Sequence, residues 1–239
     1  PMRVEAFTGI AIDKVSLGLL HSVAMTVKGQ LWGWGKGPAT GLDIGDAVRE
    51  LPAEISLPGV NLNLNPVYQV SCGPLHTVVA TLDGTIFYFG SATEGRMVQK
   101  DGSTAGRMRD ICAPKRLDDI QGWNAREMRP QRKDERAEKA QSKRRDKWWP
   151  QSVAAGGSHS AVVTESGDLW LWGSKMITST TEVKEEDVSA AGASSEDGTW
   201  KPCLQKRGLP EKVSLISIGQ EHCLAILGAG SGSVGGPLY

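Results

Sequence analysis

The chain has 239 residues, 39% of them hydrophobic, enough to bury a core in one domain or part of one. Lys plus Arg number 27 and Asp plus Glu also 27, so no global charge draws the chain to nucleic acid or to a membrane surface. No apolar run is long enough for a transmembrane helix, and PMRVEAFTG at the start lacks the apolar core of a secretory leader. A first residue of Pro rather than Met implies processing or an upstream segment.

In chain order, one pattern recurs. Residues 15–35 read VSLGLLHSVAMTVKGQLWGWG, residues 70–90 read VSCGPLHTVVATLDGTIFYFG, and residues 153–173 read VAAGGSHSAVVTESGDLWLWG. Residues 216–227, ISIGQEHCLAIL, begin a fourth copy and stop. The only four histidines, His21, His76, His159 and His222, each follow a glycine by three residues: Gly18, Gly73, Gly156 and Gly219. A second glycine follows in the complete copies at Gly29, Gly84 and Gly167, and a third at Gly35, Gly90 and Gly173.

Each copy predicts strands. A short apolar run ends at a glycine suited to positive φ and close packing, and the His opens a second, fully apolar run. Lys28-Gly29, Asp83-Gly84 and Ser166-Gly167 stand where a two-residue hairpin turn is expected. The closing strands carry Trp32 and Trp34, then Phe87, Tyr88 and Phe89, then Trp170 and Trp172. A further strand is expected upstream of each copy, near Pro1, Pro52, Pro114 and Pro202. The reading is all-β, about three and a half four-stranded blades in a partial or open ring: 1–35, 52–90, 114–173 and an incomplete 202–227. Such sheets cover their faces only by stacking on one another.

The sequence G-x-x-H-[ST], a glycine turn, and a strand ending aromatic-x-aromatic-Gly is similar to the repeat of the RCC1 (regulator of chromosome condensation) family. That resemblance implies a β-propeller, usually of seven blades, and KGPATGLDIGDAVRE after Gly35 resembles the family's glycine-rich link between blades. It specifies fold better than function. Some members exchange guanine nucleotide on the Ran GTPase, while others are ciliary, ubiquitin-ligase, photoreceptor or mitochondrial proteins that use the propeller as an interaction surface.

Candidate chemistry is sparse. The histidines are separated by 55, 83 and 63 residues, one per blade, and so lie around a ring rather than at a point. Each is read as a buried side chain tying its glycine turn to neighbouring backbone. No nucleophile elbow, P-loop, paired-carboxylate or HExxH motif occurs, and no catalytic residue, cofactor or metal site is assigned. Cys72 fills the slot of Leu17, Ala155 and Ile218, and Cys223 the slot of Ser22, Thr77 and Ser160, while Cys112 and Cys203 are placed in connections. All four are read as structural or free thiols of a reduced, intracellular chain. Its compartment stays open among cytoplasmic or cytoskeletal, nuclear and mitochondrial.

Two insertions stand out. Residues 121–149 hold ten Lys or Arg against five Asp or Glu, and most of the stretch favours a solvated helix or a disordered arm. One reading, for 121–150, is a partner or phosphate-binding foot for RNA, DNA or an acidic protein. It would use Arg126, Arg129, Arg132, Lys133, Arg136, Lys139, Lys143, Arg144, Arg145 and Lys147, with Trp148 and Trp149 as anchors. The other is a charged surface insertion with the tryptophans packed back on the blade. Residues 174–201 hold six acidic residues against three lysines and read as a flexible connection, and 228–239 as a Gly/Ser-rich tail. Strand alternation sends the two insertions to opposite faces.

An arc of blades leaves two flanks and sheet edges to be covered, by further sequence, a second copy or other subunits. Two functions fit: a noncatalytic scaffold or subunit of a larger assembly, or a guanine-nucleotide exchange factor for a Ran-like small GTPase. No stretch maps onto an exchange surface, which favours the scaffold. The clustered surface tryptophans of the photoreceptor branch find no counterpart outside the closing strands, where Trp32, Trp34, Trp170 and Trp172 are assigned to the core.

Overall fold

A computed structural model describes residues 3–91, 110–117, 150–173, 203–205, 212–220 and 222–228. These form three four-stranded antiparallel sheets and one two-stranded sheet. Blade 1 consists of β1 (Ile12–Leu17), β2 (His21–Thr26), β3 (Leu31–Lys36) and β4 (Val48–Ile55). Blade 2 has β5 (Val67–Cys72), β6 (His76–Thr81), β7 (Ile86–Gly90) and β8 (Ile111–Arg116). Blade 3 has β9 (Pro150–Ala155), β10 (His159–Thr164), β11 (Leu169–Gly173) and β12 (Cys203–Gln205), and blade 4 has β13 (Val213–Ile218) and β14 (Cys223–Leu227). Strands follow one another across each sheet, and first strands touch in series, β1 on β5, β5 on β9 and β9 on β13, which sets them along a common axis.

The strands expected to open each blade instead close the blade before it. β4, which contains Pro52, pairs with β3; β8, which contains Pro114, with β7; and β12 with β11. Accordingly no strand precedes β1 among the described residues: Glu5–Phe7 is a single 3-10 turn. Cys112 and Cys203 lie in outer strands rather than in connections, and Pro150 opens β9 instead of ending the insertion. The register shift leaves the faces as expected. Leu117 N–H bonds Ile86 O beside the Gly84 hairpin and Pro150 pairs with Thr164, so the ends bracketing 118–149 lie at the hairpin end. Gly173 pairs with His159, at the opposite end. Residues 126–149, 174–201 and 229–239, with every partner-binding assignment placed on them, lie outside the described residues.

The hairpins are three-residue loops, not two. Thr26 N–H bonds Gln30 O, and Gly29 N–H turns back to Thr26 O with φ of 73°. Thr81 with Thr85 and Thr164 with Asp168 repeat the arrangement around Gly84 and Gly167. A type I turn closed by a left-handed residue demands glycine at that point, which explains the recurring second glycine.

Core side chains lie between sheets. Val23, Met25, Leu31, Ile55 and Leu57 of blade 1 and its outgoing link meet Val67, Val70, Val79, Phe87 and Phe89 of blade 2. Val78, Ile86 and Tyr88 on the other face of blade 2 meet Val153, Val162, Trp170 and Trp172 of blade 3. Ala154, Ala161, Val163 and Leu169 then meet Val213, Ile216, Ala225 and Leu227. Each full burial of a large apolar side chain stabilises by about 1.5–3 kcal/mol, and none of it is available to a lone sheet. Trp170 and Trp172 are core as expected, whereas Trp32 and Trp34 are half-buried and meet the edge-on ring of Phe7, centroids 5.9 and 5.8 Å away.

Candidate functional site

The recurrent glycines and histidines build the blade junctions. At each turn the glycine N–H closes on its own histidine's carbonyl: Gly18 to His21 at 2.9 Å, Gly73 to His76 at 2.8 Å, Gly156 to His159 at 2.9 Å and Gly219 to His222 at 2.8 Å. None of these four glycines has a positive φ, contrary to expectation; their need is for space. A Cβ on Gly18 would lie 2.7 Å from Gly73 O, one on Gly73 2.4 Å from Gly156 O, and one on Gly156 2.3 Å from Gly219 O. Glycine is required because the next blade's backbone occupies the place of a side chain.

The imidazoles then cross the junction. His21 Nε2 is 2.9 Å from Thr77 Oγ1, and His76 Nε2 is 2.9 Å from Ser160 Oγ. The partner is a side-chain hydroxyl on the following blade, not backbone as the sequence suggested. Thr77 Oγ1 donates to Ala39 O at 3.0 Å, so His21 Nε2 must carry the proton that bridges to Thr77. Burial holds the His21 pKa down at about 4, which keeps the ring neutral at physiological pH. His159 is buried at the same place in blade 3, and across from it Cys223 stands where the other blades have a hydroxyl. His222, on the last sheet, is exposed.

Backbone groups complete the junction. Ser16 Oγ accepts from Cys72 N–H at 2.9 Å and Ser71 Oγ from Ala155 N–H at 3.0 Å, one blade onward each time. Leu19 N–H reaches Pro74 O and Gly157 N–H reaches Gly219 O, both at 3.0 Å. At the rim Val67 N–H bonds Gly29 O and Val213 N–H bonds Gly167 O. Pro150 occupies that donor's position in blade 3 and has no N–H; there the Tyr68 hydroxyl donates to Pro150 O.

The four glycine turns converge on a cavity of about 270 Å³ at one end of the axis, lined by Leu17–Gly18–Leu19, Cys72–Gly73–Pro74, Ala155–Gly156–Gly157 and Ile218–Gly219–Gln220. Burial pushes the Cys72 thiol up to about 11, outweighing hydrogen bonds to Thr77, Ser16 and Val23, so it stays a neutral thiol at physiological pH. Among the described residues no group of His, Cys, Asp or Glu is placed to hold a metal ion. None of their helices is long and apolar enough to cross a membrane. The site signal missed in the sequence is the Thr or Ser after His76 and His159: its slot was evident, but not its role as the hydroxyl partner of the preceding blade's imidazole.

Residues 151–174 match the model of the Regulator of chromosome condensation (RCC1) repeat. Among curated proteins the chain is similar to the mitochondrial RCC1 domain-containing protein RUG3 of Arabidopsis thaliana, with 27% identity over 95% of this chain and 42% of that protein. It is also similar to the ultraviolet-B receptor UVR8 of Arabidopsis thaliana, 24% identical over 95% of this chain and 41% of the receptor. The chain thus spans about two fifths of the length of these relatives. Among solved structures, Prp20p from Saccharomyces cerevisiae superposes with a TM-score of 0.60 at 18% identity, covering 90% of this chain and 43% of Prp20p, a likeness of fold. Repeat match, sheet order and histidine-bridged junctions agree: the chain carries an RCC1 repeat and folds as consecutive RCC1-like β-propeller blades.

Proposed function

We propose that the chain is a noncatalytic protein-interaction scaffold or structural subunit of a larger intracellular assembly. The observation that carries this reading is apolar exposure on the two flanks of the arc. Val15 and Leu17 are 58% and 67% exposed, while Val70, Val153 and Ile216 at the register of Val15 are buried. Leu224 is 51% exposed, while Val23, Val78 and Ala161 at its register are fully buried. Flanks of this composition are covered by protein, whether further sequence, a second copy or other subunits, rather than by a small molecule. The basic segment 121–150 adds a second contact, to RNA or DNA phosphate or to an acidic partner. RUG3 being a mitochondrial protein supports an intracellular setting.

A second reading, nucleotide exchange on a Ran-like small GTPase, draws support from the likeness to Prp20p, a protein described with its binding to Gsp1p and histones. The two separate in one pair of measurements. A scaffold co-fractionates with other proteins at a mass well above its own and fails to accelerate nucleotide release from purified small GTPases. Acceleration at substoichiometric amounts of the chain overturns the scaffold in favour of exchange.

A further inference from the structure

We draw no further inference here: the strongest candidate, the surface patch of exposed Val27, Leu64 and Leu82 at the hairpin end of blades 1 and 2, carries nothing because nothing in the structure shows what covers it.

Discussion

Replacing Gly73 and Gly219 by alanine asks the same change of the same motif position in two settings. A Cβ on Gly73 would sit 2.4 Å from Gly156 O and 2.6 Å from the His76 ring. Ordinary contact starts near 3.4 Å, so about 1 Å of overlap falls on a backbone carbonyl. Blade 3 must retreat by that amount, loosening the His76–Ser160 and Ser71–Ala155 bonds at 2.9 and 3.0 Å. Overpacking costs about 1–3 kcal/mol and each weakened bond on the order of 1 kcal/mol, so Gly73→Ala should destabilise by about 3 kcal/mol. At Gly219 the near atoms all belong to the exposed His222 ring, 2.4 Å away at its closest, and that ring can rotate aside. Gly219→Ala should cost under about 0.5 kcal/mol in dilute chain. Equilibrium urea denaturation measures both: with an m-value of about 3 kcal/mol/M, Gly73→Ala should lower the midpoint by about 1 M and Gly219→Ala hardly at all. Equal losses would refute the reasoning, since the glycine requirement would then arise within the turn and not from the neighbouring blade.

Three further outcomes follow from the junctions. Thr77→Val leaves His21 Nε2–H and Ala39 O without their shared partner and should cost about 1–3 kcal/mol, with Thr77→Ser recovering most of it; a Val variant as stable as wild type contradicts the bridge. His21 has a folded pKa of about 4 against an ordinary 6.5, so the folded chain binds fewer protons between those values. Stability should be full above pH 6.5 and fall as pH drops toward 4, and His21→Gln should flatten that fall in urea titrations across the range. Phe7→Ala strips the edge contact from Trp32 and Trp34 and should shift tryptophan emission to the red at a cost on the order of 1 kcal/mol; an unchanged spectrum would place the Phe7 segment elsewhere.

The inner half of each blade was legible because its constraints are local: a turn glycine, a histidine, a left-handed hairpin glycine and a paired aromatic strand recur at fixed spacing. The outer strands were not, since VRELPAEI and ICAPKR carry few alternating apolar positions and either neighbouring sheet could take them. Ownership is decided by register across chain segments, which no short window holds. The hydroxyl partners of His21 and His76 lie a whole repeat away for the same reason. Trp32-x-Trp34 and Trp170-x-Trp172 are identical words with different burial: blade 2 packs on the second pair, while the first pair meets the ring of Phe7. The basic residues between 126 and 149 were singled out by charge alone, and charge names no neighbour.

Because each sheet ends in its outermost strand before the chain returns to the next innermost one, every covalent crossing between blades spans the full thickness of the wall. The spacing of sheets about the axis is set by noncovalent fit at the glycine turns, and the crossing is free to vary in length. Evolution can lengthen the crossing after Leu117, or an engineer can splice a reporter module there, without changing the pitch of the wheel.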